Sequence, residues 1–193
     1  MKTTTMTLVA MFVALMVGLG WTLALVPNVE FITALAFTAG ATLGPGLGAM
    51  TAMTGMFFFS ATNPVGSGLA FPVLLAAQVL SQGLVGLAGG WLRSRDPAEL
   101  TGGLARFSLA LTGLILTAIY DGLTSVSFPL FAGAGGGEIL TVLVSGLAFT
   151  LIHQISNVLI FFLVVPRLIQ VARRPRRSPS VEAPGELSGK SDT

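Results

Sequence analysis

The sequence predicts an all-α integral membrane protein, a six-transmembrane-helix bundle with both termini cytoplasmic. Three observations carry this. The 193 residues are 53% hydrophobic and only 9% charged, against roughly 25% charged in soluble domains, and the mean hydropathy is +0.86. The apolar residues form repeated runs of helical length, without the period-2 alternation of a β-barrel. The basic residues sort to one side once the spans are drawn. A chain of this size has too little interior to hide so much apolar surface from water.

Apolar segments fall at about 6–26, 31–60, 70–91, 103–127 and 138–168. The first is followed by neither a small-residue cleavage site nor a polar mature domain, and reads as a retained helix rather than a signal peptide. Within it Ala10, Ala14 and Gly18 recur every four residues. Such a stripe lets a second helix approach closely, from this chain or from a partner.

The second segment contains "TLGPGLGAM" at 42–50. If Pro45 merely kinked one helix there would be five spans, with basic residues on both sides. A turn at Gly-Pro-Gly instead gives short helices at 31–43 and 46–60, and six spans. Lys2, the Arg93/Arg95/Arg106 loop and the Arg167–Arg177 cluster then share one face, which takes all ten Lys and Arg, and the positive-inside rule makes that face cytoplasmic. The opposite connections carry only Glu30 and Glu138. The two short helices would cover about 20–23 Å of a roughly 30 Å hydrocarbon core, so neighbours or local thinning must complete the span.

"PNVE" (27–30), "ATNPVGSG" (61–68) and "FPLFAGAGGGE" (128–138) are then external loops, each with Gly or Pro and without basic residues. Residues 1–170 make up the membrane domain. Residues 171–193 form a basic, then Pro/Ser-rich tail, expected to be disordered and cytoplasmic. Its Arg173, Arg174, Arg176 and Arg177 are expected to sit on anionic lipid. The clustering of charge there explains the high isoelectric point without invoking nucleic acid.

Polar residues interrupt the later spans: Asp121 in "AIYDGLTS", and His153, Gln154 and Asn157 in "FTLIHQISNVLIFF". A charge in hydrocarbon costs several kcal/mol, so such groups face a cavity or a partner. Two readings stand. His153 and Asn157, one turn apart, bond each other and the backbone to hold helices together. Alternatively, Asn28, Glu30, Asn63, Tyr120, Asp121, His153 and Asn157 line a binding cavity open to the outside and roofed by "PNVE". Trp21 is either a stacking partner there or an interface anchor. Asn28 and Glu30 also suit the cap and first turn of the helix beginning near Phe31.

Enzyme readings find little support. There is no P-loop, and one His with no Cys excludes HExxH and thiolate metal sites. Ser145 and His153 lie about 12 Å apart along one helix, too far for a nucleophile and its base. An intramembrane aspartyl protease lacks its second Asp. The expectation is a non-catalytic chain with no cofactor and no metal. Nor is there the paired helix break of a secondary carrier or the filter of a channel.

Six spans in under 200 residues, "AMFVA" on helix one, "VPNVEFITAL" at its outer end, "TLGPGLGAMTAMTG", "YDGLTS" and "FTLIHQISN", in that order, cover most of residues 7–165. In these features the chain resembles the substrate-binding S component of energy-coupling factor (ECF) transporters, vitamin importers of prokaryotic plasma membranes. The resemblance implies capture of a vitamin-like molecule from outside, in a pocket under the external loops. It implies a membrane coupling protein and two ABC-type ATPases as partners, the first of them packing on the Ala-x-x-x-Ala stripe, here Ala10 and Ala14, with Gly18 continuing it. Substrate contacts vary across that family and none transfers. Asp121 and Glu30, without an external basic residue, lean towards a neutral or cationic ligand. The alternative function is a membrane scaffold that binds a partner helix through the Ala10/Ala14/Gly18 face without a ligand.

Overall fold

The computed structural model describes residues 2–174. Among these the chain is helical, with no strand: α1 (Thr3–Leu23), α2 (Ile32–Leu43), α3 (Pro45–Ala61), α4 (Pro72–Gly90), α5 (Gly103–Phe131), α6 (Gly136–Ser145), α7 (Leu147–Leu163) and α8 (Val165–Ala172). Residues 175–193, with Arg176, Arg177 and most of the expected tail, lie outside the described residues.

α1, α4 and α5 are each long and apolar enough to cross a membrane, and α6 with α7 adds a fourth span if that bent pair counts as one. Large apolar side chains such as Met11, Leu104, Phe107 and Ile115 stand exposed on their outer faces. Long apolar helices with an apolar exterior mark a membrane-embedded protein.

α2 is the central helix. All of its residues but Thr42 are buried, the expected fate of a helix that is apolar all round. It ends at Gly44, whose φ of +93° belongs to a region that glycine enters without strain. Pro45 then opens α3, where its missing N–H is no loss. Two helices thus flank the Gly-Pro-Gly turn.

α2, α3 and α4 approach backbone to backbone. A Cβ on Gly40 would overlap the Gly86 carbonyl, one on Gly89 the Phe37 carbonyl, and one on Gly90 the backbone of Pro45. Only small residues permit this approach. The other half is built from larger side chains. The Phe161 ring of α7 covers Gly113 of α5 and meets Phe37 of α2 edge-on, with centroids 5.2 Å apart. α1 turns Phe12, Met16 and Gly20 inward and leaves Ala10, Ala14 and Gly18 exposed.

The last segment departs from the single helix expected over 138–168. α6 and α7 are bent by 56° about Gly146, a poor helix former, and α8 begins at Val165 with Pro166, which can donate no backbone hydrogen bond, as its second residue. α5 runs to Phe131, one turn past the expected 127, and carries Pro129 in its final turn. The Glu138 carboxylate accepts the Gly135 N–H at 2.8 Å and so fixes the start of α6.

The connections 24–31, 62–71 and 132–135 lie towards one end of the bundle. The Gly44 turn, the 91–102 connection and α8 lie at the other, where the Arg93 side chain rests against Gly44. The Arg173 guanidinium donates to the carbonyls of Arg93 (2.7 Å) and Arg95 (2.9 Å). Arg173, expected on lipid, therefore ties α8 to the α4–α5 connection, whereas Arg174 is exposed.

Gly89→Ala is expected to lower stability by about 2 kcal/mol, the scale of overpacking a tight contact. Gly46→Ala, with nothing near its Cβ position, is expected to be silent. Thermal unfolding in detergent compares them, and equal melting temperatures would contradict the close-packed seam.

Candidate functional site

A cavity of about 520 Å³ lies at the end that carries the 24–31 loop. Its wall draws on the end of α1, that loop, the facing ends of α3 and α4, the second half of α5 and the α6–α7 bend. This is within the usual size range of small-molecule pockets, roughly 300–1,000 Å³.

The loop is tied to α7. The Asn28 side-chain amide donates to the Phe149 carbonyl at 2.8 Å, and the Ser156 hydroxyl donates to the Asn28 carbonyl at 2.9 Å. Asn28 itself has φ +57°, a left-handed value that Asn tolerates better than most residues. Two residues on, Glu30 uses both carboxylate oxygens. Oε2 accepts the Thr33 N–H at 2.9 Å, which caps α2. Oε1 faces the Asn157 amide at 3.4 Å and His153 Nε2 at 3.5 Å. Burial works against the ionised form of Glu30, but the His153 and Thr33 donors outweigh it and hold the carboxyl below the usual carboxylate range.

His153 also reaches the other way. Its Nδ1 lies 2.6 Å from Asp121 Oδ1, and the neighbouring Gln154 amide donates to Asp121 Oδ2 at 3.1 Å. One imidazole therefore stands between two carboxylates, one from the loop and one from α5. The Tyr120 ring meets it edge-on, with centroids 5.8 Å apart. Both ring nitrogens face carboxylate oxygens, so the ring is not presented to a serine hydroxyl as a base. The arrangement can hold a ligand through hydrogen-bond acceptors and charge.

Asn28, Glu30, Asn63, Tyr120, Asp121 and His153 all contribute to the cavity wall. Asn157 does not. It is fully buried behind Glu30, and it and His153 each reach Glu30 rather than bonding each other. Trp21 is 45% exposed and outside the wall. Ser156, which the sequence did not single out, holds the loop. Sequence reasoning also missed Gln78 and Gln82, which line the cavity from α4. Gln78 Oε1 accepts from Ser60 at 2.7 Å, and the Gln82 amide donates to the Thr33 hydroxyl at 3.0 Å. Two glutamines four apart in an apolar run were the available signal, since that spacing puts both on one helix face.

Ser156→Ala is expected to loosen the loop without unfolding the bundle. Loss of a hydrogen bond worth about 1 kcal/mol predicts hydrogen exchange about fivefold faster at amides 26–31, and unchanged exchange there would contradict the tether. Comparison of the chain with protein-family models, with curated proteins and with solved structures finds no match.

Proposed function

We propose that the chain is the substrate-capture (S) subunit of an ATP-driven ECF-type importer. It takes a vitamin-like micronutrient from outside and delivers it through a separate membrane coupling protein and two ABC-type ATPases, without catalysis of its own. The observation that carries this reading is the cavity, sized for a small molecule, placed under a tethered loop and walled by Glu30, Asp121 and His153. Polar residues inside apolar spans are costly unless they serve a site. In this reading the protein crosses a prokaryotic plasma membrane six times. α2 and α3 count as separate spans, α6 with α7 as the last, and both termini are cytoplasmic. The placement of Arg93, Arg95 and Arg173 at the end opposite the cavity supports that orientation.

The exposed Ala10/Ala14/Gly18 stripe suits the coupling protein, because nothing among the described residues covers it. It equally suits the scaffold alternative, in which the stripe is the whole function and the cavity stays empty.

Native mass spectrometry of detergent-purified chain is expected to show a stoichiometric adduct of vitamin size, retained from the medium or bound from a vitamin panel. A bare mass under every condition would favour the scaffold. Ala14→Leu, at an exposed position, is expected to leave the melting temperature nearly unchanged but to abolish co-purification with the coupling protein. Undiminished co-purification would remove the stripe from the interface.

A further inference from the structure

We infer that the cavity selects a ligand bearing one net positive charge. This rests on the capture reading and names the chemical class that the site takes. Glu30 and Asp121 both border the cavity, with 20% and 14% of their side chains exposed. One imidazole lies between them. Its two nitrogens each face a carboxylate oxygen, an arrangement satisfied when both carry protons. Even so charged, His153 offsets only one of the two carboxylates. No Lys or Arg appears among the cavity-lining residues described, and Arg93, Arg95 and Arg173 lie at the far end. Together the three side chains leave the cavity wall with about one uncompensated negative charge in a partly desolvated setting, which a cationic ligand offsets.

A second observation points the same way. Gln82 is 2% exposed, borders the cavity and spends its amide nitrogen on Thr33, while its Oε1 accepts no hydrogen bond. A buried acceptor without a donor calls for a ligand that brings N–H groups. For an anion the wall offers neutral donors, among them Asn63, Gln78, Tyr120, Ser125 and Thr150, and no Lys or Arg among the described lining residues. The rings of Phe59, Tyr120 and Phe149 border the same space and suit a flat cationic heterocycle.

The test uses the full chain in detergent. Thermal-shift and calorimetric titrations are run with a matched series on one ring: nicotinate (anionic), nicotinamide (neutral) and 1-methylnicotinamide, methylated on the ring nitrogen (cationic). A wider panel adds thiamine and choline as cations, riboflavin as neutral, and pantothenate and biotin as anions. The compounds that bind are expected to be cations. Asp121→Asn is expected to weaken the tightest of them about tenfold or more, the scale of a lost charge-assisted contact. Glu30→Gln, which keeps an acceptor for the Thr33 N–H, is a second charge removal less prone to unfold the chain. Asn63→Lys, adding a positive charge to the wall, is expected to abolish cation binding. A neutral or anionic compound as tightest ligand would overturn the charge assignment and leave the capture reading standing. So would a bound cation indifferent to all three variants. A folded chain that binds no compound of any class would overturn the capture reading itself.

Discussion

The imidazole of His153, set between Asp121 and Glu30, is the contact on which the cavity end of the molecule depends. The three residues come from α7, α5 and a loop, so a single ring joins three separate parts of the chain. Either carboxylate buried without a partner would be costly. Sharing one imidazole reduces that cost and fixes the geometry of all three groups. Because the other Glu30 oxygen caps α2, the loop cannot move away without also uncapping the central helix. Helix cap and cavity wall are one residue.

The cavity lies where two differently built halves meet. α2, α3 and α4 are held by glycine-to-backbone approach, which leaves little room for adjustment. α5 and α7 are held by side chains, with the Phe161 ring over Gly113. A polar link from Gln82 to Thr33 braces the first half, and Asn157 and His153 reach across the join to Glu30. A rigid wall facing a more adjustable one suits a site that must admit a ligand and then hold it. The tether from Asn28 to Phe149 and from Ser156 to Asn28 sets how readily the roof lifts.

Much of this was legible in the sequence, for identifiable reasons. The membrane character follows from composition, and the Gly44–Pro45 break follows from residues that have few other uses inside an apolar run. Asp121 and His153 stood out because charge within apolar segments is rare. Asn28 and Glu30 stood out beside a helix start, and Glu30 proved to be both cap and wall. What stayed hidden depends on distant partners. Ser156 gave no signal because its acceptor is 128 residues away. Gln78 and Gln82 carry no charge and blended into an apolar helix. The bend at Gly146 was unreadable because an isolated glycine in an apolar segment is as compatible with a straight helix as with a bent one. Arg173 resembled its neighbours in a basic run, and only the fold shows that it grips the carbonyls of the α4–α5 connection.

His153 is the only histidine in the chain, so its side chain can be observed without ambiguity. Nitrogen-15 NMR of histidine-labelled protein in detergent at neutral pH reports which ring nitrogens carry protons. The account predicts two protonated nitrogens, both shifted by neighbouring carboxylates, with the pattern altered in Asp121→Asn and in Glu30→Gln. A ring with one protonated nitrogen, identical in the parent and both variants, would mean that the imidazole does not bridge the carboxylates, and the charge logic of the site would fall with it.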